Sequence, residues 1–133
     1  MDREQTIRDA HDGDPYARAQ GVRLDAVTDD GVIVSMEVTA DHVNFHGVTH
    51  GGALFSLADC AFALASNAHG DAAVAIDTHL AITAASHVGD RLTAIAREKT
   101  RGRRLGTYQI EITRTDGRTV GLFTGTVFIN QEA

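Results

Sequence analysis

The sequence predicts an α+β domain in which an antiparallel sheet wraps around one long, apolar helix. Three observations carry this. Residues 53–68 hold a long helical pattern that is apolar on almost every side. Two strand-like runs precede it and four follow it. Turn residues, Asp29-Asp30-Gly31 and Asp116-Gly117, join neighbouring runs into hairpins.

In chain order, Asp14-Pro15 is a helix start. Asp14 offers an N-cap oxygen, and the proline lacks only an N–H that the first turn leaves unused. Gly21 is the expected stop, so residues 1–21 are read as an N-terminal helical segment. Residues 22–28 (VRLDAVT) and 32–39 (VIVSMEVT) alternate apolar and polar, as the two strands of a hairpin do. After the long helix come strand patterns at 72–83, 90–100, 104–115 and 118–130. Gly121 and Gly125 interrupt the last of these and are expected to mark bends or bulges that curl the sheet. A chain of 133 residues without a repeat, linker or low-complexity tract fits a single domain, 1–133.

Composition narrows the function classes. There are 18 acidic and 12 basic residues, a formal net charge of −6, so no nucleic-acid partner is expected. The charge is uneven, however. Arg97, Lys99, Arg101, Arg103 and Arg104 cluster within eight residues, a local patch suited to a small anionic ligand. Arg97, Lys99 and Arg101 share one strand parity and are expected on an outward face; Arg103 and Arg104 follow Gly102 at a hairpin tip. Cys60 is the single cysteine, which excludes an internal disulfide. The polar N-terminus has no signal-peptide core, and the apolar stretch at 53–65 is too short to span a membrane. A soluble, cytoplasmic protein is the expectation.

The long helix carries an anomaly. On a helical wheel Leu54, Leu57, Ala58, Ala61, Phe62 and Ala65 supply the apolar surface, while Ser56, Asp59, Ser66 and Asn67 share one stripe. A carboxylate there needs a partner, or has a use for having none. Gly51 and Gly52 stand directly before the helix, where free N–H groups and the positive end of the helix dipole can stabilise an oxyanion. The preceding loop, NFHGVTHGG, adds Asn44, His46 and His50. Together these are the groups needed to hydrolyse an acyl bond. Eight residues of helix separate Gly51 from Asp59, about 12 Å of rise, so a single helix cannot easily present both to one carbonyl. The spacing therefore favours a site shared between two subunits.

Other chemistries fit less well. Ser56 and Ser66 lie inside the helix with no G-x-S-x-G elbow. Cys60 sits beside a carboxylate that disfavours its thiolate and is read as core. His42, His46 and His50 are spaced four and four, but Asn44, Gly47 and Gly51-Gly52 argue for a loop, and no metal is expected.

The segment NFHGVTHGGALFSLADCAFALASN, residues 44–67, resembles the signature of hotdog-fold acyl-CoA thioesterases of the phenylacetic-acid-degradation type. It matches at Asn44, His50, Gly51, Gly52 and Asp59, and the resemblance runs over roughly residues 16–130. It implies a homodimer or homotetramer and a reaction that turns acyl-CoA and water into an acid and coenzyme A, with no metal or redox cofactor. It implies Asp59 as general base or nucleophile, the Gly51 amide of the partner subunit as oxyanion donor, and Asn44 and His50 as orienting groups. Gly52 is expected close to the substrate, Phe45 and Phe55 against an aryl-acetyl group, and Arg101, Arg103 and Arg104 at the phosphates of coenzyme A. One departure is visible: where some relatives of this type place a water-holding serine, this chain has Ala75, and Thr78 or a water would take its part. A non-catalytic acyl-CoA-binding module on the same fold is the alternative. A hydratase on this fold expects a His-Asp pair at the helix start, which the segment does not supply in that arrangement.

Overall fold

The computed structural model describes residues 2–130. Its elements in order are α1 (Arg3–Asp12), α2 (Pro15–Gln20), β1 (Arg23–Val27), β2 (Gly31–Glu37), a short 3₁₀ turn (Ala40–His42), α3 (Gly51–Ser66), β3 (Ala72–Ile82), β4 (Arg91–Arg101), β5 (Leu105–Thr113) and β6 (Thr119–Asn130). The six strands form one sheet in the order β1-β2-β4-β5-β6-β3, with every pairing antiparallel. α3 lies along its concave face, chiefly against β2, β4 and β5. This is the expected helix wrapped by a sheet.

The N-terminal segment is two helices. α2 begins and ends as predicted: Asp14 accepts from the Ala17 N–H, Pro15 opens the first turn, and Gly21 closes it with φ +78°. α1 lies upstream of that start and buries one side chain, Ile7, so no apolar periodicity announces it. The Arg3 guanidinium holds α1 to the β1–β2 turn by donating to the Thr28 carbonyl at 2.6 Å.

The core forms because α3 has little polar surface to spare. Leu54, Leu57, Ala58, Ala61, Phe62 and Ala65 are all buried. Full burial of one such large side chain contributes roughly 1.5–3 kcal/mol. Phe62 meets Tyr108 and Phe123 at ring-centroid distances of 5.8 and 5.5 Å. Its ring also touches the backbone of β6, where a Cβ on Gly125 would stand 2.6 Å away. Gly125 thus serves a close helix–sheet approach and marks no bulge, contrary to the sequence expectation. Gly121 does adjoin one: pairing passes from Ile112↔Gly121 to Thr113↔Thr119 and leaves Val120 extra. Similar extra residues are Asp25 in β1, Ile76 in β3 and Lys99 in β4. Each bulge adds local twist, which helps the sheet close around α3.

β1 and β3 are the two sheet edges. β3 is eleven residues long and leaves Val74, Ile76 and Ile82 more than half exposed. No helix among the described residues is long and apolar enough to cross a membrane.

Candidate active site

The site grows from the start of α3. Residues 43–50 form a small loop braced at both ends. Val43 bridges Thr49, and the buried Thr49 and Ser86 hydroxyls bond at 2.6 Å. Within it, the Asn44 side-chain oxygen accepts from the His46 N–H at 2.9 Å and from the Val48 N–H at 3.4 Å. Gly47, at φ +80°, completes the turn. Asn44 therefore shapes the loop through its oxygen, and its amide NH₂ donates to no described residue.

His50 is the N-cap of α3. Its Nδ1 accepts from the Gly52 N–H at 2.8 Å, which assigns the ring proton to Nε2. The Ala53 and Leu54 N–H groups both turn to the His50 carbonyl. That leaves the Gly51 N–H without an acceptor among the described residues, at the positive end of a sixteen-residue helix. A Cβ at Gly51 would meet Ile82 Cδ1 at 3.2 Å. A cavity of about 340 Å³ opens nearby, lined in part by Val48, Leu54, Ile82 and Thr83.

Asp59 lies just over two turns further along. It is half-buried and its carboxylate makes no hydrogen bond with any described residue. The hydroxyl nearest on its stripe is already committed, since Ser56 Oγ donates to the Gly52 carbonyl at 2.8 Å and bonds Tyr16 Oη at 2.8 Å. Burial pushes the Asp59 pKa above the ordinary carboxylate range, and the negative charge of Asp14 pushes it the same way. Of the α3 residues, Gly52, Phe55, Asp59 and Ala63 form the accessible stripe; Cys60 is buried, and burial with the charges of Asp14 and Asp59 pushes its thiol up to about 12. A neutral, inert thiol follows, as read from the sequence.

The remaining expected residues scatter. Phe55 is 36% exposed and its ring meets Phe123 edge-on at 5.5 Å. Phe45 is 93% exposed at the loop tip. Thr78 is half-buried on β3 opposite Gly125, two residues past the Ile76 bulge and three past Ala75. Arg103 and Arg104 are exposed at the β4–β5 turn. Arg101 departs from the outward face expected of it. The extra residue Lys99 reverses strand parity, and Arg101 turns inward to donate to the Ser66 carbonyl at 3.0 Å and to Tyr108 Oη at 2.9 Å. It thus anchors the C-terminal end of α3, where a cation is favoured.

Of the three histidines considered for a metal, His42 accepts from the Thr39 N–H through Nδ1 and donates from Nε2 to the Gln20 carbonyl. Among the described residues, no three His, Cys, Asp or Glu side chains are grouped to hold a metal ion. Sequence reasoning missed Asp14 and Tyr16. They come from α2, some forty residues upstream, and no local spacing links them to Asp59.

A six-stranded antiparallel sheet curled around a buried central helix is the hotdog fold of thioester hydrolases. Residues 46–121 match the model of the thioesterase superfamily, and the chain belongs to that family. It is 40% identical over 121 residues to the acyl-coenzyme A thioesterase PaaI of Escherichia coli, covering 91% of this chain and 86% of that protein. The structure of the E. coli PaaI protein from the phenylacetic acid degradation operon superposes with a TM-score of 0.94, covering 98% of this chain and 95% of that one. A mutant of the phenylacetic acid degradation protein PaaI from Thermus thermophilus gives 0.83 at 43% identity, covering 86% of this chain and 98% of that one. A hypothetical thioesterase protein from Streptococcus pneumoniae, solved with coenzyme A, gives 0.78 at 28% identity, covering 82% of this chain and 88% of that one.

The Asp59 environment has a consequence for stability. A carboxyl whose pKa is raised by folding favours the folded state below its unfolded-state pKa, and that contribution is lost as pH rises through the folded-state value. Asp59→Asn should therefore melt above the wild-type protein at about pH 7, and the gap should close by about pH 3. Thermal melts across this range check it; a variant that melts lower at neutral pH would show that the carboxylate has a stabilising partner.

Proposed function

We propose that the protein is an acyl-CoA thioesterase acting on an aryl-acetyl thioester, phenylacetyl-CoA or a hydroxylated relative, to give the free acid and coenzyme A. The observation that carries this is the half-buried Asp59 carboxylate left unpaired on the accessible stripe of a helix whose first amide is also free. An unpaired carboxylate in such a place costs stability, and a purely binding module gains nothing from it.

The chemistry follows from the groups. The Gly51 N–H and the helix dipole stabilise the negative charge that develops on the thioester oxygen. Asp59 takes the proton of an attacking water, or itself attacks the carbonyl carbon and is then released by water. The C–S bond breaks and the thiol leaves with a proton. His50 Nε2–H and the Asn44 amide are donors beside the same helix start and orient the thioester. Thr78 stands in for the absent serine at Ala75 in holding the water. Phe55 lines the acyl slot, and Phe45, exposed on the loop, closes over it. No metal or redox cofactor enters these steps.

Two copies complete the site. The long, apolar edge of β3 is a surface that natural sheets cover. Antiparallel pairing of two such edges sets two α3 helices side by side, so that the Gly51 of one faces the Asp59 of the other. Similarity to E. coli PaaI supports the substrate class. Arg103 and Arg104, exposed and adjacent, clasp the phosphates of coenzyme A; Arg101 contributes through the end of α3 that it holds.

Asp59→Asn should lower kcat/KM by about 10²–10⁴. The acid limb of the wild-type profile should lie above the ordinary carboxylate range, because Asp59 acts only when deprotonated and its pKa is raised. Thiol release measured across pH reads both; wild-type turnover in folded Asp59→Asn sinks the mechanism, and a wild-type protein that binds acyl-CoA but releases no thiol favours the binding module instead.

Charge reversal at Arg103 and Arg104 should raise KM for acyl-CoA with little change in kcat, since phosphate contacts are equal in ground and transition states. A pantetheine thioester, which lacks the nucleotide, should not respond. Equal losses on both substrates would remove these arginines from the site.

Mixed dimers of Asp59→Asn and Gly51→Pro should regain activity, up to about half of wild type, because one of the two sites escapes both defects. Verified mixed dimers as dead as their parents would place Gly51 and Asp59 in the same subunit's site.

A further inference from the structure

α2 reaches the accessible face of α3 through a side-chain hydrogen bond. Tyr16 Oη bonds Ser56 Oγ at 2.8 Å, and Ser56 in turn is fixed on the Gly52 carbonyl. The hydroxyl is thereby satisfied and the ring is held, yet Tyr16 remains 56% exposed. An aromatic ring that is immobilised by its polar tip and left open along its body is prepared to receive an apolar group.

Its position relative to Asp59 follows from helix geometry. Asp59 is four residues after Phe55 and three after Ser56, so at 100° per residue it points between them, one turn further on. Phe55 stands on one flank, its ring set by the edge-on contact with Phe123. Ser56 stands on the other flank and holds Tyr16. Two fixed, partly open rings thus straddle the approach to the unpaired carboxylate. Asp14, which opens α2, is close enough for its charge to act on Asp59, so the whole first turn of α2 borders this approach.

We propose that Tyr16 is a specificity-determining residue, its ring and that of Phe55 forming the two walls of a slot that selects flat aromatic acyl groups over flexible alkyl chains. The inference rests on the thioesterase reading and deepens it by assigning the acyl preference to α2. A planar ring loses no internal freedom between two fixed walls, whereas an alkyl chain must be ordered there. Stacking adds a preference on the order of tenfold.

The test compares kcat/KM for phenylacetyl-CoA and hexanoyl-CoA in the wild type and in Tyr16→Phe, Tyr16→Leu and Tyr16→Gln. Tyr16→Gln keeps a hydrogen-bonding side chain for Ser56 and good helix propensity while removing the ring, so the test does not depend on Tyr16→Leu folding well. The aryl-to-alkyl ratio should fall about tenfold in Tyr16→Leu and Tyr16→Gln and hold in Tyr16→Phe. A ratio unmoved in either ring-less variant, once folding is verified by circular dichroism, overturns the inference. So does Tyr16→Phe losing the ratio as fully as Tyr16→Gln, which would trace the effect to the hydroxyl. Asp59→Asn is assayed alongside. If it turns over like the wild type, the thioesterase mechanism fails and the Tyr16 assignment falls with it; if it is inactive and the ratios do not move, only the Tyr16 assignment fails.

Discussion

Everything in this fold is arranged around the burial of α3. A helix that is apolar nearly all round is stable only when a sheet curls far enough to cover most of its circumference. Here the curling is made possible by bulges in β1, β3, β4 and β6, and the closeness by glycine. Phe62 can lie against β6 only because residue 125 has no side chain. The same fit leaves one stripe of α3 uncovered, and that stripe holds Asp59.

Burial sets the electrostatics of the site as well. The sheet leaves Asp59 half out of water and gives it no donor, while α2 adds a second carboxylate, Asp14, to its surroundings. Both effects favour the protonated form, which makes the ionised form a stronger base. At the other end of the same stripe the helix start is organised oppositely. His50 consumes the Gly52 N–H, its carbonyl consumes those of Ala53 and Leu54, and the Gly51 donor is spared. The local sequence His-Gly-Gly thus caps the helix while leaving one amide without an acceptor among the described residues.

Much of this was legible in the sequence because it is local. Alternation gave the six strands, the Asp14-Pro15 pair gave the start of α2, and the wheel isolated Asp59 on α3. What escaped depends on contacts that spacing does not encode. α1 buries only Ile7 and has no apolar period to detect. The meeting of Tyr16 with Ser56 joins residues forty positions apart. Arg101 was misplaced because strand parity assumes an unbroken ladder, and the Lys99 bulge breaks it. Gly125 looked like a point of curvature, but glycine in a strand answers equally to a neighbour pressing from across the core.

The Lys99 bulge has a further meaning. A strand normally assigns each residue type to one side for its whole length, so the side facing the core and the side facing outward cannot exchange duties. One unpaired residue lets β4 cross over midway. Upstream of it Leu92, Ala94 and Ala96 fill the interior; downstream of it a guanidinium takes the inward place and clamps the last turn of α3. The insertion acts as a frameshift in the geometry of the sheet. Pairing Lys99 into the ladder as an ordinary residue would rotate Arg101 out and Thr100 in, leaving the hydrophobic interior intact but the end of α3 untethered.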